Sequence, residues 1–189
     1  MTRSDDSPAC PSKRLFVGLE LPPSCRAALS AINPRLTGLR WLPEEQFHLT
    51  LSFLGEVEAP AEDRLRKAFG KVRIGPFYLP LRGIGIFDSG RRASVIWVGV
   101  GQGHPHLFAL HRRIQDAILA AGLEPSLQAF HPHVTIGRAN DVSRDALRPL
   151  IRLHAETEFG LVQVTSFALF SSVLTAKGAI HKMEMRWEL

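Results

Sequence analysis

The chain has 189 residues, with 23 basic side chains against 18 acidic ones and a formal net charge of +5. Hydrophobic residues make up 45% and charged residues 22%, a globular composition that excludes a largely disordered chain. No apolar run reaches the ~20 residues that span a bilayer. The opening MTRSDDSPACPSKR lacks the apolar core of a secretory signal. It reads as a flexible tail over residues 1–13, with one domain over 14–189. That length is enough to bury a core without covalent staples. Cysteine occurs only at Cys10 and Cys25, so a reduced, cytoplasmic protein without a cysteine-built zinc site is expected. Lysine occurs only at 13, 67, 71, 177 and 182, so most of the 23 basic residues are arginine. The planar guanidinium fork suits phosphate oxygens, although an arginine-rich codon usage produces the same excess.

Residues 14–21 (RLFVGLEL) form an apolar strand, ended by Pro22 and Pro23. Residues 24–33 follow as a helix with Ser24 as N-cap. Residues 47–55 (FHLTLSFLG) alternate as a strand does and stop at Gly55. Residues 60–71 are amphipathic, with Leu65, Ala68 and Phe69 on the apolar side. Residues 77–87 and 94–100 read as two strands joined through DSGRRA, an exposed turn carrying Arg91 and Arg92. Residues 105–121 form the clearest helix: Leu107, Leu110, Ile114, Ala117, Ile118 and Ala121 share one face, and Gly122 stops it. Residues 133–138 form a strand, 143–153 a helix capped by Ser143, and 166–174 with 179–189 a closing hairpin around Ala-Lys-Gly. Interspersed helices and hairpin-linked strands predict an α+β fold with antiparallel or mixed sheets.

One pattern occurs twice. His48-Leu49-Thr50-Leu51 and His133-Val134-Thr135-Ile136 are both His-apolar-Thr-apolar in strand-like runs, 85 residues apart. Side chains two apart share a face of a strand. Alternation therefore places His48, Thr50 and Ser52 on one face, with Leu49, Leu51 and Phe53 in the core. In the second copy, His133 and Thr135 share a face, while Val134 and Ile136 enter the core. Side by side, such strands bring two imidazoles and two hydroxyls to one cleft. Imidazoles titrate near neutral pH, so one can take a proton while the other gives one. Hydroxyls can hydrogen-bond phosphate oxygens as charge develops. The implied chemistry is metal-free phosphodiester transesterification or hydrolysis. A lone HxT is more often a structural histidine; the matching context of two copies favours function.

Other candidates carry less. His131 and His133 form HPH, but no carboxylate or cysteine set with ligand spacing accompanies them, so no metal is expected. GVGQG (99–103) lacks the residues of a phosphate loop and reads as a turn. Trp41, Phe47, Phe87 and Phe130 are possible stacking faces for a base, and are otherwise core. His104, His106, His111, His154 and His181 read as structural or surface histidines.

The two motifs and their surroundings resemble the two-histidine (2H) phosphoesterase superfamily, most closely its RNA 2′,3′-cyclic phosphodiesterase branch, once called 2′-5′ RNA ligase. The resemblance runs from Arg14 onward, through RLFVGLELP (14–22), RWLPEEQFHLTLSFLGEV (40–57), HRRIQDAILAAGL (111–123), FHPHVTIGR (130–138) and FALFSSVL (167–174). It implies a bilobal α+β fold, with two sheet lobes flanking a central cleft and helices outside. It implies His48 and His133 as catalytic residues, and Thr50, Thr135 and Arg138 as substrate-binding ones. Strand parity places Arg138 opposite His133, so it must reach round or lie past the strand end. Relatives often carry a basic residue where this chain has Ser52. The implied reaction is hydrolysis of an RNA 2′,3′-cyclic phosphate to a 2′-phosphate. His133 is the base towards water and His48 the acid towards O3′, with no cofactor. The same chemistry with a 5′-hydroxyl RNA end makes a 2′-5′ linkage. Expected partners are RNA ends or small cyclic nucleotides, with no membrane, and the chain is expected to be a monomer. A phosphodiesterase acting on 2′-5′ oligoadenylate, and a non-catalytic RNA-binding module, are the alternatives.

Overall fold

The computed structural model describes residues 11–89, 92–101, 104–175 and 178–189. Its elements run β1 (Ser12–Glu20), α1 (Pro23–Ala31), β2 (Leu39–Trp41), a 3-10 turn (Glu44–Gln46), β3 (His48–Glu58), α2 (Ala59–Phe69), β4 (Phe77–Ser89), β5 (Arg92–Val100), α3 (Pro105–Ala120), β6 (His133–Ser143), α4 (Arg144–Leu153), β7 (Glu158–Val164), β8 (Ser166–Thr175) and β9 (Gly178–Glu188). The strands lie in the order β7-β4-β5-β6-β3-β1-β8-β9, with β2 on β6. The pairings among the described residues are antiparallel. This is the expected α+β class, with no parallel pair among the described residues. Four strands fall on each side of the β3–β6 junction.

That junction is narrow. The register pair Leu49–Val134 joins β3 to β6. Beyond it β6 pairs with β2 instead, from Gly137 to Ala139. The two central strands therefore diverge, and a cleft opens on the face away from the helices. On the other face, α2 and α3 pack on β3, and α4 packs on β4 and β6. Leu49, Leu51, Val134 and Ile136 are buried there against Leu107, Leu110, Ile114, Ala117 and Ile118 of α3. Burying this apolar face is what fixes the register of each strand.

Several boundaries differ from expectation. β3 does not stop at Gly55 but continues to Glu58, because β1 pairs with it as far as Ser12–Glu58. Gly55 supports a bulge at φ 71, a conformation glycine adopts without a Cβ penalty. The same pairing draws Ser12 and Lys13 out of the expected tail and into β1. Helix α1 begins at Pro23 with Pro22 as N-cap, and Ser24 makes no cap. Proline at the first helical position replaces a donor that had no partner. Ser143 does cap α4, its hydroxyl accepting from the Ala146 amide at 3.2 Å. β2 and β7 lie where no strand was expected; both are short sequences whose pairing is decided by their neighbours. Residues 1–10 with Cys10, Arg91 and the Arg92 side chain, and residues 102–103 and 176–177, where turns were expected, lie outside the described residues. Among the described residues no helix is long and apolar enough to cross a membrane.

Candidate active site

The two HxT strands are structural copies. Each has eleven residues, and buried, half-buried and exposed positions fall in the same order along both. Neither alternates strictly. Between β1 and β3 the register jumps from Val17–Ser52 to Gly18–Thr50, leaving Leu51 as an extra residue. Between β5 and β6 it jumps from Ile96–Gly137 to Trp97–Thr135, leaving Ile136 extra. A bulge of this kind reverses the facing of every residue after it. Leu51 with Ser52, and Ile136 with Gly137, are accordingly buried in succession.

Two sequence expectations are corrected by these bulges. Ser52 does not share the His48 face. It is 4% exposed on the helix side, where Gln115 Nε2 donates to its Oγ at 3.3 Å. Phe53 does not enter the core but is 66% exposed and turns onto the cleft. The second bulge does the same for Arg138, which joins His133 and Thr135 on their own face without reaching round. Phe53 and Arg138 thus occupy the same place in the two copies, five residues after each histidine.

His48, Thr50, His133, Thr135 and Arg138 line one cleft of about 220 Å³. Arg14, Arg40, Gln46, Phe53 and His181 share it. Arg40 lies opposite Arg138 in the β2–β6 register. Each HxT histidine is oriented by its own chain. His48 Nδ1 lies 2.7 Å from the Gln46 carbonyl, and His133 Nδ1 lies 2.6 Å from the His131 carbonyl. A carbonyl only accepts, so Nδ1 carries the proton in both neutral rings. Each Nε2 is left with its lone pair, ready to accept a proton or, once charged, to donate one.

Rings wall the histidines. Phe16 lies 4.8 Å from His48, and His181 stands edge-on to it at 5.1 Å. Phe87 stands edge-on to His133 at 4.9 Å. Burial lowers the pKa of His48 from 6.5 to about 4, and the charges of His181 and His133 push it the same way against the Gln46 carbonyl. Burial also lowers His133, opposed by the His131 carbonyl. Both shifts favour the neutral ring at pH 7.

A second pocket of about 190 Å³ opens beside His133, sharing Thr50 and Phe53 with the first. Phe87 and Phe130 line it, Phe130 stacked on His111 at 4.0 Å. Of the other expected stacking faces, Phe47 is core at 3% exposure. Trp41 is half-buried, its Nε1 donating to the Leu29 carbonyl. The HPH segment contributes its His131 carbonyl to orienting His133. Among the described residues no group of three potential metal ligands occurs.

Sequence reasoning missed Phe53, Arg14, Arg40 and His181. Superposing the two motifs would have found Phe53, since it then coincides with Arg138. Arg40 and His181 carry no motif and are brought in by tertiary folding.

Comparison with known proteins bears on the family and the fold. Residues 21–174 match the family model described as the 2′-5′ RNA ligase superfamily. An RNA 2′,3′-cyclic phosphodiesterase of Aeropyrum pernix is 36% identical over 145 residues, 76% of this chain and 82% of that one. An Escherichia coli RNA 2′,3′-cyclic phosphodiesterase is 30% identical over 184 residues, 94% of this chain and 97% of that one. The crystal structure of E. coli LigT complexed with 3′-AMP matches with a TM-score of 0.77 at 28% identity, over 94% of this chain and 98% of that one. Repeated motif, fold and sequence agree, and the chain belongs to the 2′-5′ RNA ligase superfamily.

Proposed function

We propose that this protein is an RNA 2′,3′-cyclic phosphodiesterase that opens the terminal cyclic phosphate to a 2′-phosphate. The observation that carries the reading is the pair of histidines on adjoining strands, each with Nδ1 committed to a backbone carbonyl and Nε2 left for chemistry. The named relatives support the substrate class.

The cyclic phosphate sits between the two HxT pairs. His133 takes a proton from water, whose oxygen attacks phosphorus. The P–O3′ bond breaks, and His48 gives its proton to O3′. Thr50, Thr135 and Arg138 hold the non-bridging oxygens as charge develops on them. Burial favours the neutral form of His48, and a bound phosphodiester anion favours its charged form. Phe53 offers an exposed face to the base beside the second pocket. A 5′-hydroxyl RNA end in place of water makes a 2′-5′ linkage by the same steps. One chain supplies both motifs, so a monomer suffices. No step calls for a metal or cofactor. The buried free thiol of Cys25 suits the reducing cytoplasm.

The test is product analysis on an RNA oligomer ending in a 2′,3′-cyclic phosphate. A 2′-phosphate end is expected. A 3′-phosphate, or no product, overturns the reading.

A further inference from the structure

The two half-sites share their strand pattern, their Nδ1–carbonyl bonds and their threonines. They differ in the ring set edge-on against each histidine. Phe87 meets His133 at 4.9 Å and 87°. His181 of β9 meets His48 at 5.1 Å and 83°. One neighbour is permanently neutral, and the other is a side chain that titrates near neutrality. His181 is fixed by edge contact with Phe16 at 5.0 Å and by pairing with Ser172 of β8. Its Nδ1 is buried without a hydrogen-bond partner, yet the ring lines the cleft. No structural hydrogen bond accounts for a histidine here, and an unsatisfied buried nitrogen is costly.

We propose that His181 is a positioning residue that ties protonation of His48 to the arrival of the anionic phosphate. The proposal rests on the proton-transfer role of His48 given above. The titratable and charged groups that share the cleft with His181 are Arg14 of β1, Arg40 of β2, His48 of β3, and His133 and Arg138 of β6. None of them is acidic. On its own strand, Glu184 pairs with Lys182 and with Lys13. With no acidic group in the lining, a proton on His181 therefore repels a second one on His48. Burial is the main cause that lowers His181, and the charge of Arg138 acts on it in the same sense, as that of His181 does on His48. A phosphodiester anion seated among these groups offsets the repulsion, and both rings can then be charged. His48 gains its proton when a leaving oxygen is there to receive it. His181 thus adds to the difference in surroundings between two near-identical histidines.

The test is histidine NMR titration of the full chain, with and without inorganic phosphate, in wild type, His181→Gln and His181→Phe. In wild type, phosphate raises the His48 midpoint. In both variants the midpoint without phosphate already lies above that of wild type, and phosphate raises it by less. The limb of the kcat/KM profile set by His48 moves to higher pH in step. An unmoved or lowered midpoint in folded His181→Gln overturns the proposal. So does a shift in His181→Gln that is absent from His181→Phe, because ring packing rather than charge is then the cause. Failure of the phosphodiesterase reading is separate: it shows as absent turnover by wild type on the cyclic-phosphate RNA.

Discussion

Leu49 faces Val134 across the β3–β6 junction. In antiparallel register this sets His48 beside Thr135 and Thr50 beside His133, so each histidine is neighboured by the other motif's hydroxyl. On the proposed reading a phosphate over the junction meets the whole set at once, and neither motif is then expected to function alone.

Removing either imidazole tests that dependence. His48→Ala and His133→Ala should each lower kcat/KM on a 2′,3′-cyclic nucleotide by roughly 10²–10⁴-fold. Groups that act as a unit are not additive, so the double variant should lose little more than the worse single one. Near-wild-type turnover by either single variant excludes the paired mechanism.

Acid should weaken the fold through His48. Its folded pKa is about 4 against 6.5 unperturbed. Between those values the unfolded chain binds the extra proton, so stability rises with pH there and is lost as pH falls from 6.5 towards 4. The loss is on the order of 3 kcal/mol at most. Urea unfolding at pH 7 and at pH 4.5 measures it, and His48→Gln should flatten the difference. With both histidines lowered, the maximum of kcat/KM should lie on the acid side of pH 6.5. A maximum above pH 7.5 contradicts the burial of these rings.

Arg138 and Phe53 should separate charge from stacking. Arg138→Gln removes a charge-assisted contact of about 1.5–3 kcal/mol, or roughly 10–100-fold in binding a phosphate ligand. Arg138→Lys should recover only part, lacking the planar fork. Phe53→Ala removes a stacking face of about 1–3 kcal/mol. It should weaken nucleotide binding while leaving inorganic phosphate binding unchanged, and Phe53→Trp should retain the affinity. Equal loss for both ligands in Phe53→Ala would show that Phe53 does not meet the base.

Gly85 tests the wall behind His133. A Cβ there would come within 2.1 Å of the Trp97 ring, which must move. Trp97 lies 5.4 Å from Phe87, and Phe87 is the edge-on neighbour of His133. Gly85→Ala should cost about 1–3 kcal/mol in stability, change tryptophan fluorescence and reduce kcat. Unchanged fluorescence and turnover would show the wall to be dispensable.

Much of the site was legible where local pattern and tertiary demand coincide. Leu49, Leu51, Val134 and Ile136 read as core and are core, and α3 buries the face that its periodicity marks. His48, Thr50, His133 and Thr135 therefore face the cleft. Parity failed after Leu51 and Ile136, because a bulge belongs to the pairing of two strands and leaves no mark in one. It misplaced Ser52 and Phe53 and made Arg138 look awkward. His181 was illegible for another reason. It reaches His48 only because the last strand curls back to the site, where Gln46 Nε2 donates to the Ala179 carbonyl at 2.8 Å.

The interval from each histidine to Phe53 or Arg138 is five, an odd number. On an unbroken strand, residues an odd distance apart point to opposite sides. Histidine, threonine and the fifth residue can meet one ligand only if the strand carries one residue more than its partner. The spacing of the motif thus encodes an irregularity of the backbone. Adding one residue to β5 opposite that surplus one would restore regular pairing and leave histidine, threonine and arginine in the sequence, yet turn the guanidinium towards the helices.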